Sequence, residues 1–255
     1  MITRLKKPIA IICDIEGTTT SVRFWPEVLL PFIRDNLEEC LCETWNHQET
    51  IDVIALLRIK TLEDIANGDR EIPQIVEDTA TKKEIIESVI SNVVFQMNQK
   101  RQSNELKSLH LLVWLYGYRN DKLKGHVYAD VMPAFDRWKN ELGIRIFTFA
   151  SGDHIIQKMF FTCSLYGNLN SFIEDYFNYD LVGRKTESES FKKIAKIIQV
   201  NSNNILFLSD NLSELKASQN AGLVPVLVVR THNKHILDTQ IPFKRIKSFQ
   251  DLEFF

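Results

Sequence analysis

Residues 10–20 read Ala10-Ile-Ile-Cys-Asp-Ile-Glu-Gly-Thr-Thr-Thr20, a short apolar run that ends in two carboxylates, a glycine and three hydroxyl groups. Such runs are typical of buried strands, and open α/β sheets bind their ligands beyond the carboxyl ends of the strands. Asp14 and Glu16 therefore mark a candidate site. Because they are two residues apart, an extended chain would point both side chains to the same side.

The composition is that of an ordinary globular protein. The 255 residues are 44% hydrophobic and 25% charged, with a formal net charge of -2. No global field therefore attracts the chain to nucleic acid or to an anionic membrane, and no apolar segment is long enough to span one. The four cysteines form no CxxC pair, which favours reduced thiols and a cytoplasmic protein.

Strand and helix patterns alternate after residue 125. This alternation predicts a doubly wound, mainly parallel sheet with helices on both faces. Together with the first strand at 8–13, the predicted elements are strands at 144–150, 205–208 and 224–229 and helices at 134–142, 188–199 and 212–221.

The segment 21–124 lacks strand alternation and carries helical spacing instead. Thr81 and Glu84 form a capping box ahead of apolar residues that recur every four positions. A second helix is predicted at about 103–116. We therefore expect an α/β core of residues 1–20 and 125–255, and an inserted all-helical cap of residues 21–124. Since the insertion follows the first strand, we expect it to form a lid over the strand ends.

Phosphoryl transfer fits the acidic residues at the strand ends. It needs a nucleophile, a cation and a proton donor for the leaving group. Asp14 is the candidate nucleophile, and Glu16 is the candidate acid and base. Mg²⁺ prefers one or two carboxylates plus water and phosphate oxygens, which Asp14 and Asp210 would supply. Taken singly, each of these residues also has an ordinary structural explanation.

Three further residues would bind the phosphate group. Ser151 and the Gly152 amide follow a predicted strand, and turn amides hold phosphate oxygens in many proteins. Lys185 precedes a predicted helix and would supply positive charge. Other reaction classes lack support, because the sequence contains no GxGxxG, no GxxxxGK[ST] and no GxSxG. His232 and His235 are interpreted as surface residues, and His110 as a packed one.

These motifs resemble the four signatures of the haloacid dehalogenase superfamily, with Glu214 following Asp210 at the usual distance. Within that superfamily, the sequence is similar to the enolase-phosphatase (acireductone synthase) family. Glu16 is the most specific residue, because most superfamily phosphatases carry Asp there. The similar strings are Asp14-Ile-Glu-Gly-Thr-Thr-Thr20, Lys124-Gly-His-Val-Tyr128 with Asp130, Gly183-Arg-Lys-Thr-Glu-Ser-Glu-Ser190 and Asn204-Ile-Leu-Phe-Leu-Ser-Asp210.

The resemblance implies a Mg²⁺-dependent enzyme with one ion per chain. Its substrate would be 2,3-diketo-5-methylthiopentyl-1-phosphate, which the family enolises and dephosphorylates in methionine salvage through an aspartyl-phosphate. By position, Asp14, Asp210 and the Glu16 carbonyl would hold Mg²⁺. Ser151, Gly152 and Lys185 would hold the substrate phosphate. The resemblance also implies a monomer, without nucleic-acid or membrane partners, in the cytoplasm and, in eukaryotes, the nucleus.

A few positions depart from the family pattern. Asp153 would add negative charge beside a phosphate dianion, and Ala150 also differs next to Ser151. Asn211 replaces an apolar residue, and His110-Leu111 stands where Gln-Gly is common. Two alternatives therefore stay open: a phosphatase of the same superfamily that acts on another small ester, and a catalytically weakened binding paralogue.

Overall fold

The computed structural model describes residues 2–235 and 242–255. It separates the chain into two units, an α/β unit formed by the chain up to Trp25 with Lys124–Phe255, and a helical unit formed by Pro26–Leu123. Residues 236–241, which belong to the predicted core range 125–255, lie outside the described residues. Within the described part of the chain, no helix combines the length and the apolar character that a membrane crossing requires.

The helical unit contains four long helices. Its capping box is confirmed, because the Thr81 side chain accepts from the Glu84 amide while the Glu84 side chain accepts from the Thr81 amide. The predicted second helix continues to Arg119. α4 packs against α1 and α2, and α1 packs against α3. The helices are α1 (Leu30–Glu43), α2 (Gln48–Ala66), α3 (Lys82–Asn98) and α4 (Asn104–Arg119).

Polar side chains lie inside the helical unit as well as apolar ones. Asn92 donates from Nδ2 to Thr61 Oγ1 at 2.9 Å, and Gln96 donates from Nε2 to Asn92 Oδ1 at 2.7 Å. His110 on α4 is also buried, as predicted, and its ring lies 5.6 Å from that of Trp114. Its Nε2 is buried without a hydrogen-bond partner. Burial lowers the pKa of His110 to about 4.

The α/β unit is built on a six-stranded sheet in which all neighbours are parallel. Its order is β4-β3-β2-β5-β6-β7, and β1 and β8 form a separate parallel pair. This confirms the predicted parallel α/β fold. The strands are β1 (Thr3–Leu5), β2 (Ala10–Cys13), β3 (Arg145–Phe149), β4 (Ile173–Phe177), β5 (Ile205–Ser209), β6 (Val224–Val228), β7 (Lys244–Ile246) and β8 (Leu252–Phe254).

The first strand of the sheet, β2, lies at its centre. The side chains of Ala10–Cys13 are fully buried, as expected for a strand that is covered on both faces. From β2 the chain builds the sheet outward through β3 and β4, and then returns to add β5, β6 and β7 on the other side. The strand order therefore reverses between β2 and β5, where doubly wound sheets bind their ligands.

In the described residues of this unit, five α-helices connect the strands. The predicted helix at 134–142 is split, since α5 is followed by a π-helical turn at Arg137–Glu141 that ends before Gly143, whose φ is 65°. The edge strands β4 and β7 were not predicted. The helices are α5 (Val131–Asp136), α6 (His154–Thr162), α7 (Tyr179–Val182), α8 (Ser188–Ile197) and α9 (Leu212–Asn220).

His110 should make the free energy of unfolding depend on pH. Its folded pKa of about 4 lies below the ordinary value of 6.5, so the unfolded chain binds the proton more readily. Stability is therefore lost as the pH falls from about 6.5 to 4, by on the order of 2–3 kcal/mol for this group. Urea unfolding of the wild type and of His110→Gln across this range measures the difference. Parallel pH profiles would contradict the prediction.

Candidate active site

The acidic residues predicted from the sequence lie where the strand order reverses. Asp14 directly follows β2, and its amide donates to Leu208 O of β5 at 2.9 Å. Asp210 directly follows β5. The two carboxylates thus leave neighbouring strands at the same edge of the sheet. Asp14 is buried, with 3% of its surface exposed.

A buried ion pair joins Lys185 to this edge. Lys185 Nζ donates to Asp14 Oδ1 at 2.5 Å and lies 3.2 Å from Glu214 Oε2. Glu214, which belongs to the signature but received no predicted role, is fixed further by Ser209 Oγ, which donates to Oε2 at 2.8 Å. All four residues are buried. The chain reaches Lys185 through Gly183, whose φ of 98° turns the chain after α7.

The charges at this edge do not balance. Asp14, Asp210 and Glu214 interact electrostatically with one another and with a single ammonium group. Burial, followed by the charges of Asp14 and Glu214, raises the pKa of Asp210 to about 7. Burial disfavours the charged form of Lys185, but the charges of Asp14 and Glu214 outweigh it, and the pKa of Lys185 is raised. The cluster therefore favours a further cation.

Glu16 lies in a turn and not on an extended chain, so the extended geometry from which its side chain was expected on the same side as that of Asp14 is absent here. The backbone carbonyl oxygen of Ile15 accepts hydrogen bonds from the amides of Thr18, Thr19 and Thr20, at 3.3, 2.9 and 2.9 Å. These bonds curl the chain immediately after Asp14. The carboxyl of Glu16 stays accessible to solvent. Its pKa is raised, because of desolvation by its neighbours and then the Asp14 charge, with Lys185 acting in the opposite direction.

The turn needs Gly17 for two reasons. Its φ is 77°, in the left-handed region that favours glycine. A Cβ at this position would also collide with the carboxylate of Asp210. The backbone of the turn therefore approaches Asp210 closely.

Ser151 and Gly152 lie at the carboxyl end of β3, the strand beside β2. Both are exposed, and the hydrogen bonds that gather Asp14, Lys185 and Glu214 do not include them. Asp153, which was expected to add negative charge beside a phosphate, caps α6, since Oδ1 accepts from the Ile155 amide at 2.7 Å. Gln157 Nε2 donates to Gly152 O at 2.9 Å and thereby holds this loop.

The donor set fits a hard divalent cation such as Mg²⁺. Asp14 and Asp210 provide carboxylate oxygens, and burial, followed by the charges of Asp14 and Glu214, raises the pKa of Asp210 to about 7. Within residues 2–235 and 242–255, no group of three or more His, Cys, Asp or Glu side chains is arranged to hold a metal. Mg²⁺ does not require one, because it commonly keeps several waters and uses only one or two protein carboxylates.

Comparison with known proteins agrees with this arrangement. The family model described as haloacid dehalogenase-like hydrolase matches residues 10–222. Enolase-phosphatase E1 of Anopheles gambiae is 37% identical over 247 residues, which cover 96% of this chain and 82% of that protein. Enolase-phosphatase E1 of Dictyostelium discoideum is 37% identical over 254 residues, which cover 95% and 94% of the two proteins. The chain belongs to the enolase-phosphatase family.

This enolase-phosphatase family member is therefore a phosphoric monoester hydrolase by class. Its fold is similar to that of the UTR4 protein of Saccharomyces cerevisiae, with a TM-score of 0.75 at 24% identity over 96% of this chain and 99% of the other. Some relatives are much longer. The chain spans 22% of Enolase-phosphatase E1 of Aedes aegypti, to which it is 38% identical over 95% of its own length.

Removing the buried ammonium should destabilise this family member strongly. Lys185→Met leaves Asp14 and Glu214 without their shared cation, which should cost about 3–5 kcal/mol in the free energy of unfolding. Lys192→Met is the control, since its pair with Glu189, at 2.6 Å, is exposed and should contribute about 0–1 kcal/mol. Urea unfolding at neutral pH measures both variants. Equal, small changes would show that Lys185 does not compensate the carboxylates.

Proposed function

We propose that the chain is a Mg²⁺-dependent enolase-phosphatase that enolises 2,3-diketo-5-methylthiopentyl-1-phosphate and then removes its phosphate, giving 1,2-dihydroxy-3-keto-5-methylthiopentene in methionine salvage. One observation carries the proposal: Asp14 lies in contact with the buried Lys185 ammonium, beside Asp210, at the point where the strand order reverses. The names of the relatives support the substrate. A plant relative from Ricinus communis, 35% identical over 96% of this chain, is named as a probable bifunctional methylthioribulose-1-phosphate dehydratase/enolase-phosphatase E1.

The phosphoryl step begins at Asp14. One carboxylate oxygen of Asp14 attacks the phosphorus atom, so that an O–P bond forms while the bond from phosphorus to the substrate's ester oxygen breaks. Glu16 gives its proton to the departing oxygen. Water then attacks the aspartyl-phosphate, Glu16 takes a proton from that water, and inorganic phosphate leaves with Asp14 regenerated.

Glu16 suits this exchange of protons. Its raised pKa favours a protonated carboxyl before the leaving group departs. Glu16 is an exposed residue, so its side chain is accessible to a bound substrate. Asp14, in contrast, is buried, and one of its carboxylate oxygens contacts the Lys185 ammonium. Two neighbouring carboxyl groups with different surroundings thus receive different roles.

Mg²⁺ would be held by Asp14, Asp210 and the Glu16 carbonyl, and when bound it neutralises phosphate charge so that the nucleophile can approach. Lys185 would contribute to the same neutralisation. Ser151 and the Gly152 amide, which lie exposed at the end of β3, would hold the other phosphate oxygens. The proposal also includes a monomer that acts in the cytoplasm and, in a eukaryote, the nucleus, without a nucleic-acid partner.

The departures from the family pattern do not favour another function. Asp153 and Asn211 each cap the helix that follows, since Asn211 Oδ1 accepts from the Ser213 amide at 2.9 Å. His110 belongs to the interior of the helical unit. These positions therefore have structural explanations, and neither a different ester substrate nor a binding paralogue gains support from them.

The substrate and the nucleophile are tested together. Purified wild-type protein with Mg²⁺ should convert the diketone phosphate far faster than p-nitrophenyl phosphate. Asp14→Asn should fold but release phosphate below about 10⁻³ of the wild-type rate, because it lacks the attacking oxygen. Asp175→Asn on the edge strand β4 is the control. A diketone phosphate no better than the generic ester would overturn the substrate, and an active Asp14→Asn would overturn the nucleophile.

The role of Glu16 is tested by a variant whose side chain cannot donate or accept the proton. Glu16→Gln keeps the size of the side chain and should lower kcat by about 10²–10⁴-fold. The loss of kcat/KM, which reports the steps up to departure of the leaving group, should be smaller for esters whose leaving group needs no proton, such as p-nitrophenyl phosphate, because the acid then contributes less. Glu189→Gln, an exposed carboxyl on α8, should leave turnover unchanged. An equal loss of kcat/KM on both kinds of ester would mean that Glu16 is not the acid.

A further inference from the structure

The turn that follows Asp14 is held from outside by residues far along the chain. We call residues 16–20 the catalytic turn. Arg230 Nε donates to Thr18 O at 3.0 Å, and Asn233 Nδ2 donates to Gly17 O at 2.8 Å. Both donors follow β6 in sequence. Two consecutive carbonyl groups of the turn are thereby fixed by a single loop.

A second segment holds the other half of the turn. The Tyr128 amide donates to Thr19 O at 3.0 Å. Thr20 Oγ1 lies 2.9 Å from His126 Nδ1, within hydrogen-bond distance. These residues belong to the string Lys124-Gly-His-Val-Tyr128, which helped to identify the family but has no part in the phosphoryl step. Each residue from Gly17 to Thr20 therefore has its own contact outside the turn.

Arg230 is the most heavily constrained of these donors. It is buried, with 8% of its surface exposed. Nη1 donates to both carboxylate oxygens of Asp130, at 3.0 and 2.9 Å, and to Lys247 O at 3.1 Å. The guanidinium carbon lies 4.3 Å from the centre of the Tyr128 ring and 4.9 Å from that of Phe249. The guanidinium is thus fixed in the direction in which Nε reaches the turn.

Asp130 is in turn fixed by the segment before β8. Its Oδ2 accepts from Ser248 Oγ at 2.9 Å and from the Phe249 amide at 2.6 Å. Asp130 also balances the positive charge of Arg230, so the pair adds little field to the site. A buried ion pair of this kind is weak evidence for stability, since apolar residues of similar volume often serve as well. Apolar residues cannot, however, donate to Thr18 O.

We propose that Arg230, held by Asp130, is a positioning residue that fixes the backbone of the catalytic turn and thereby the place of the Glu16 carboxyl relative to Asp14 and Asp210. The catalytic part of this inference rests on the proposed function, whereas the ordering of the turn does not. Lysine is not equivalent at this position, because only the planar guanidinium can pair with Asp130 and direct Nε toward a carbonyl at the same time.

The control for Arg230 is Arg145, which makes similar contacts elsewhere. Arg145 forms a two-pronged pair with Glu174, donates from Nη1 to Ile198 O at 2.7 Å and lies 5.1 Å from the centre of the Phe147 ring. It lies at the beginning of β3, at the sheet edge opposite to the catalytic turn. Arg145→Met therefore removes an ion pair, a carbonyl contact and a ring contact without touching the turn.

Amide hydrogen exchange tests the proposal without turnover. The experiment uses metal-free protein at a temperature where all variants are folded. In Arg230→Met, the amides of Thr18, Thr19 and Thr20 should exchange at least about tenfold faster than in the wild type, because the hydrogen bond from Arg230 to Thr18 O no longer opposes local opening of the turn. Arg145→Met should not. Arg230→Lys, which keeps the charge, should also exchange faster, and it replaces the Met variant if that one does not fold. Unchanged protection in the Arg230 variants would overturn the proposal.

Kinetics test whether the position of the turn matters for the reaction. Arg230→Lys should lower kcat by about 10–10²-fold through misplacement of Glu16, with KM nearly unchanged, while Arg145→Met keeps kcat. A loss of protection with unchanged kcat would overturn the positioning role. If the wild type does not convert the diketone phosphate, the proposed function fails, and the exchange data still decide whether Arg230 orders the catalytic turn.

Discussion

The ion pair between Lys185 and Asp14 is the interaction on which the candidate site depends. A carboxylate that leaves a buried strand is costly unless it is paired, and a second buried carboxylate beside it adds repulsion. Lys185 offsets both the burial of Asp14 and its repulsion with Glu214, because Nζ contacts Asp14 at 2.5 Å and lies 3.2 Å from Glu214. Burial, followed by the charges of Asp14 and Glu214, raises the pKa of Asp210 to about 7. The remaining imbalance is what suits the site to a divalent cation.

The sheet topology explains why these charges meet at all. β2 and β5 are separated by about 190 residues in sequence but are neighbours in the sheet, with Cys13 opposite Leu208. Their carboxyl ends therefore bring Asp14 and Asp210 to one edge. The reversal of strand order between them sends the connecting segments to opposite sides, which leaves this edge open to a ligand. The position of the chemistry thus follows from the fold.

Much of the sheet and of the candidate site could be predicted from the sequence, because the central strands are continuous apolar runs that end in polar residues. The edge strand β4 could not, since Glu174 and Asp175 interrupt its apolar pattern and are exposed. The turn at Glu16 was not predicted either, because it depends on three amides that converge on Ile15 O. Arg230 carried no local signal, as its partners Thr18 and Asp130 lie 212 and 100 residues away.

Charge and geometry are supplied by different residues in this site. Lys185 changes the electrostatic field at Asp14. Arg230 forms a pair with Asp130 that is neutral as a whole, and it fixes the position of the backbone of the catalytic turn. A change at Lys185 should therefore alter the stability of the buried carboxylates, while a change at Arg230 should alter the shape of the turn. The catalytic turn carries Glu16, the proposed acid, and the backbone of this turn is held by contacts from residues 126–130 and 230–233.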